Sequence, residues 1–216
     1  MVSIGEPLPE FDFHCSTMSL PAAFGTTLES IPSAIPYLSA DDATRRTWQT
    51  RLGAVGSPRI GLVWSGNPSH VNDHRRSVEL KTLLPLLDVD AQFISLQKEV
   101  RPRDRAILRE RGDILDLGSE LGTYEDTAAV IEQLDLVISV DTSVAHLAGA
   151  LGKPVWIMLP YVPDWRWLVG RDDSPWYPTA RLFRQTEARE YGSVVNRMKT
   201  ELDALVPVLA ATARCR

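Results

Sequence analysis

A chain of 216 residues, 44% hydrophobic and 24% charged, has the composition of an ordinary globular protein with room for one sizeable core. Its 23 basic and 28 acidic residues leave a net charge of −5, which argues against the clustered positive surface that a nucleic-acid partner requires. No apolar run reaches the roughly 20 residues of a membrane span. The start, Met1-Val2-Ser3-Ile4-Gly5-Glu6, lacks the basic and apolar regions of a signal peptide. Cys15 and Cys215 have neither metal-ligand nor redox spacing, so a reduced, cytoplasmic location is expected.

Residues 1–40 carry Pro7, Pro9, Pro21, Pro32 and Pro36, a density that keeps long helices out. Residues 41–52 read as a helix capped by Ser39 or Asp41, and 53–58 as a linker. From there short β-branched runs alternate with amphipathic stretches. Strands are expected at 59–64, 92–96, 114–117, 136–140, 155–159 and 181–183. Most are continuously apolar, as strands covered on both faces should be. Helices are expected at 79–87, where Pro85 should kink or shorten the run, at 104–111, and at 124–134 behind a Thr123 cap. A small apolar helix is expected at 146–151. A last one at 194–211 carries Val195, Met198, Leu202, Leu205 and Leu209 on one stripe, with a kink expected at Pro207. Strand and helix in alternation predict an α/β fold, a doubly wound, Rossmann-like parallel sheet with right-handed crossovers.

In such sheets ligands bind beyond the carboxyl ends of the strands. After the first strand comes Ser65-Gly66-Asn67-Pro68, either an ordinary turn or a loop whose N–H groups face an anion. Neither a Gly-x-Gly-x-x-Gly fingerprint nor a P-loop is present, which disfavours a nicotinamide-dependent oxidoreductase. Arg75 and Arg76 lie where a helix begins; they could clamp a diphosphate or belong to a solvated loop. His70 and His74 are four apart but lack a third ligand, so no metal is expected. The densest signal is Asp141-Thr142-Ser143 opening a helix that carries His146. This is either an anion and sugar-hydroxyl site or a capping cluster with a structural histidine. Four tryptophans fall between Trp156 and Trp176, as stacking platforms or as loop anchors.

The run LDLVISVDTSVAHLAGALGKPVW (134–156), PDWRW (163–167), SPWYP (174–178) and RLFRQ (181–185) together resemble one family. They are similar to the C-terminal, nucleotide-sugar-binding half of the ADP-heptose heptosyltransferase (family 9) glycosyltransferases, in the versions found in bacterial tetratricopeptide-repeat proteins. Residues 13–38 resemble that family's interdomain segment. The resemblance implies a two-domain GT-B fold, of which 1–55 would be a linker and a remnant of the N-terminal acceptor domain. Residues 56–216 would be the donor-binding domain. It places the family's Asp-Thr-Gly-x-x-His on Asp141, Thr142, Ser143 and His146, with Ser143 where glycine is usual. Its phosphate-contacting small residues fall on Ser65 and Gly66, with Asn67 beside them, and its lysine close to Arg75 or Arg76. Its nucleoside-binding acid falls on Gln97 or Glu99.

The resemblance places the family's catalytic aspartate in the N-terminal domain, of which only the last piece is expected in these residues. Inverting transfer needs that base and a clamp for the departing diphosphate. Catalytic residues are therefore unassigned, no cofactor is expected, and the partners implied are a nucleotide-diphosphate sugar and an unknown acceptor. The alternative is a non-catalytic nucleotide- or sugar-binding module. The apolar face that a missing half would leave open makes a homodimer one expected state.

Overall fold

The computed structural model describes residues 5–54 and 56–213; residues 1–4 and Cys215 lie outside them. The chain divides into two units, Met1–Pro32 and Ser33–Arg216. In the first, a 3-10 turn (Thr17–Ser19) runs into α1 (Leu20–Ala23), with Pro21 in its first turn, and neither element buries a residue. Leu8, Phe11, Phe13, Met18 and Phe24 all stay exposed.

The second unit opens with α2 (Asp42–Leu52). Of the two caps expected, Asp41 serves: its carboxylate accepts the N–H groups of Ala43 and Thr44. Gly53, at φ 70, ends the helix. Six strands then form one sheet: β1 (Arg59–Val63), β2 (Gln92–Ser95), β3 (Ile114–Asp116), β4 (Leu136–Val140), β5 (Val155–Leu159) and β6 (Ala180–Arg184). The order is β3-β2-β1-β4-β5-β6, with every pairing parallel. This is the doubly wound, Rossmann-like arrangement read from the sequence. The direction of winding reverses between β1 and β4.

The connecting helices are α3 (Asp73–Arg76), α4 (Leu80–Leu83), α5 (Pro102–Glu110), α6 (Tyr124–Glu132), α7 (Ser143–Ala150) and α8 (Gly192–Ala213). The expected helix at 79–87 is divided. Pro85 stands inside the run, and α4 gives way to a 3-10 turn (Leu84–Leu87). The helix expected at 104 begins two residues earlier because Pro102 suits the first turn. Asp104 is instead buried, accepting Trp64 Nε1–H and the Leu80 N–H. The C-terminal helix continues through Pro207 to Ala213.

Side chains leave each strand alternately to opposite faces, and this sorts the apolar residues into two cores. Ile60, Leu62, Leu136, Ile138, Trp156 and Met158 meet Leu80, Leu83, Met198 and Leu202 on one face. Val63, Val137, Ile157 and Leu159 meet Trp48, Ile131, Ala148 and Trp167 on the other. Helix α2 packs on α6, where the Trp48 indole donates to Asp126 Oδ1 at 3.1 Å. A buried arginine closes the link between α2 and β1. Arg59 donates to the carbonyls of Leu52, Gly53 and Ala54, while its own N–H is held by Asp135.

Candidate functional site

Where the winding reverses, a cleft of about 430 Å³ opens at the carboxyl edge of the sheet. Val63, Leu96 and Leu121 give it an apolar floor, and the first turns of α6 and α7 wall it. Seven of the expected residues meet here: Ser65, Gly66, Asn67, Gln97, Glu99, Thr142 and Ser143. Gln97 is buried, and its amide serves the backbone. Oε1 accepts the N–H groups of Trp64 and Ser65, and Nε2 donates to the carbonyls of Ser65 and Glu99. The Gly66 N–H goes to Ser77 Oγ at 2.9 Å. The backbone donors of Ser65 and Gly66, expected to face an anion, are therefore already engaged. What Ser65 offers is its hydroxyl, which is buried in the cleft lining with no partner. Asn67 closes a local turn, its Oδ1 accepting the Ser69 N–H.

Opposite them, α7 begins without a side-chain cap. Thr142 Oγ1 lies 3.1 Å from Ser139 Oγ, which leaves its helix start unbonded by that hydroxyl. An uncapped first turn keeps N–H donors and positive potential directed outward. Ser143 Oγ accepts the Tyr124 hydroxyl at 3.0 Å, tying the starts of α6 and α7 together. Helix α6 does carry the Thr123 cap expected, completed by Asp126 into a capping box. Lys98, in the loop that follows β2, donates to the carbonyls of Leu121 and Gly122. Lys98 and Tyr124 were not singled out in the sequence; their signal is position, one directly after a strand end and one directly after a cap.

Arg76, Asp141 and His146 form a second cluster beside the cleft. Arg76 Nη1 donates to the Asp141 carbonyl at 2.9 Å, while its Nε is buried without a partner. The His146 ring stacks on Trp167 with centroids 5.0 Å apart, and its Nδ1 lies 3.1 Å from the Tyr177 hydroxyl. Its Nε2 lies 3.8 Å from Asp141 Oδ1. Burial pushes the imidazole below its usual value, against the pull of the Asp141 carboxylate. A neutral ring that accepts from Tyr177 at Nδ1 carries its proton on Nε2, on the Asp141 side. Burial and a hydrogen bond with Tyr37 push the Tyr177 phenol upward, so it stays protonated. Of the aromatic segment, Trp167 and Tyr177 are thus anchors for His146, whereas Trp165 remains exposed.

Arg75 parts from Arg76. It lines a separate pocket with His74 and Arg189, so the two consecutive arginines do not act as one clamp. Among the described residues, no three His, Cys, Asp or Glu side chains stand close enough to hold a metal ion. Nor is any helix among them long and apolar enough to cross a membrane.

Residues 120–159 match the family model for glycosyltransferase family 9 (heptosyltransferase). The matched segment takes in α6, β4, α7 and β5, and with them both walls of the cleft and the Asp141–His146 pair. Protein FlbA of Caulobacter vibrioides is 26% identical over 201 residues, covering 89% of this chain and 33% of its own. The structure of E. coli ADP-heptose lps heptosyltransferase II superposes with a TM-score of 0.54 at 18% identity, over 82% of this chain and 56% of that one. E. coli heptosyltransferase WaaC with ADP gives 0.53 at 17%, over 82% and 53%. The chain thus spans about half the length of the solved structures and a third of FlbA. The family 9 relation and the GT-B-type α/β fold expected from the motifs are both borne out.

Proposed function

We propose that this chain is the donor-binding half of an inverting, heptosyltransferase-like glycosyltransferase, holding a nucleotide-diphosphate sugar in the cleft between β1 and β4. The carrying observation is the pairing of a buried, unpartnered Ser65 hydroxyl with the uncapped start of α7 across one cleft. Two donors of this kind on opposing walls suit a polyanion. The apolar floor of Val63, Leu96 and Leu121 suits the nucleoside. Glu99, rather than the occupied Gln97, is then the acid free to meet the ribose. The free Nε of Arg76 and the α7 start would stabilise the charge that gathers on the departing diphosphate. The Asp141 carboxylate and neutral His146 would meet sugar hydroxyls, one accepting and one donating.

The base that deprotonates the acceptor hydroxyl is assigned to an N-terminal domain. Residues 56–216 are assigned to the donor side and 1–55 to the junction. A cytoplasmic location follows from the use of a nucleotide sugar. The test is calorimetric titration with ADP, GDP and UDP, repeated on Asp141→Ala and Arg76→Ala. Selective binding of one nucleotide, weakened about tenfold by Arg76→Ala, is the expected result. No binding of any of the three would overturn the reading. Binding without transfer, even with an N-terminal domain supplied in trans, would instead favour the non-catalytic module.

A further inference from the structure

The carboxyl edge of the sheet carries another pocket, of about 240 Å³, between the β1 loop and the ends of β5 and β6. Its lining includes His74, Arg75 and Arg189 and not one carboxylate. Several arginines of the same unit are paired with acids, among them Arg45, Arg51, Arg101 and Arg166, and others donate to backbone carbonyls, among them Arg59 and Arg184. Arg75 and Arg189 have no carboxylate partner among the described residues. Two unpaired guanidinium groups and an imidazole around one concavity are what a multivalent oxyanion needs, since their forks match carboxylate and phosphate oxygens.

The walls are built rather than loose. The Tyr191 hydroxyl donates to the Arg75 carbonyl at 3.1 Å, and the Tyr161 N–H donates to Gln185 Oε1 at 3.0 Å. The Arg189 guanidinium stands 5.5 Å from the centroid of the Tyr161 ring. Arg189 also holds a left-handed backbone at φ 53, which L side chains rarely adopt. A glycine would make that turn without strain, so what the position gains from arginine is its side chain.

We propose that this pocket is an oxyanion subsite that receives a carboxylate or phosphate group carried by the sugar-side reactant. Its position supports that assignment, because Arg75 directly precedes Arg76, whose guanidinium grips the Asp141 carbonyl. The word sugar rests on the donor reading above; the oxyanion assignment does not. An acidic or phosphorylated sugar would thus be distinguished from a neutral one in a pocket that shares no lining residue with the nucleotide cleft.

The experiment titrates the whole chain with inorganic phosphate, with glucuronate and with glucose, on the wild type, Arg189→Gly and Arg75→Ala. Phosphate, glucuronate or both should bind, glucose should not, and each substitution should weaken the anion about tenfold. Which anion binds tells phosphate from carboxylate as the recognised group. Arg189→Gly should at the same time melt at a higher temperature, because it relieves the φ strain while removing the charge. Absence of both anions at tens of millimolar overturns the assignment. So does a phosphate signal that survives both substitutions and vanishes with Ser65→Ala, since it then belongs to the main cleft. ADP titrated in parallel should be unaffected by either arginine substitution. A wild type that binds none of ADP, GDP and UDP would overturn the donor reading and leave the anion result standing.

Discussion

The guanidinium of Arg76 occupies the space where residue 66 would carry a side chain. A Cβ built on Gly66 would lie 2.8 Å from Nη2 and 2.9 Å from Nε of Arg76. Because Nη1 of the same arginine holds the Asp141 carbonyl, the absence of a side chain at 66 lets one residue tie the β1 loop to the β4 loop. Gly66→Ala should displace Arg76 at a cost to stability of about 1 kcal/mol. Nucleotide diphosphate affinity should fall about tenfold. Unchanged affinity in a calorimetric titration would remove Arg76 from the binding machinery.

Gly149 is small for a different neighbour. A Cβ there would sit 2.5 Å from the Cδ1 and Cγ atoms of Tyr177, whose hydroxyl meets His146. Gly149→Ala should destabilise the fold by about 1–3 kcal/mol through overpacking. Tyr177→Phe keeps the ring, loses only the hydrogen bond, and should cost about 1 kcal/mol. Urea unfolding of the two variants separates packing from the hydrogen bond; equal losses would refute the steric account.

His146 should make stability depend on pH. Its folded pKa lies below the usual 6.5, with burial the leading cause, so the unfolded chain takes up the proton first as pH falls. The contribution is complete above the unfolded value and declines as pH drops through it, until the folded imidazole protonates as well. Melting temperatures at about pH 7.5 and 5.5 should differ less in His146→Gln than in the wild type. An identical pH dependence in the two proteins would contradict the burial effect.

Arg59 offers a further structural test. Its side chain satisfies three carbonyls at the end of α2 and meets Gln92 Oε1 at 3.0 Å. Arg59→Ala leaves those acceptors unpaired in a buried setting and should cost about 2–4 kcal/mol. Arg46 on exposed α2 surface is the control, and Arg46→Ala should stay within about 0.5 kcal/mol.

The strands were legible because continuous apolar runs such as Leu136–Val140 are what a doubly covered sheet demands, and their parallel pairing followed from the βαβ alternation, whereas their order came only with the structure. Pro85 and Thr123 were legible because proline geometry and capping chemistry act within a few residues of sequence. The site was legible only by position. Nothing local to Gln97 announces that its amide is consumed by Trp64, Ser65 and Glu99; burial against a neighbouring strand decides that. Adjacent Arg75 and Arg76 look alike in sequence, yet the short α3 sends Arg75 into a pocket of its own and Arg76 onto the Asp141 carbonyl. Trp167 and Tyr177 became supports for His146 only when the β5–β6 connection folded against α7.

Asp126 is shared between two elements: one carboxylate oxygen accepts the Trp48 indole of α2, and the other accepts the N–H and hydroxyl of Thr123 at the start of α6. A fragment beginning at residue 56 would retain all six strands yet lose the indole, the Arg45–Glu132 pair and the Arg51–Glu120 pair that brace the cleft wall. Substrate screening on a minimal piece should therefore start upstream of Asp41, so that the wall presenting Tyr124 to the ligand keeps its brace.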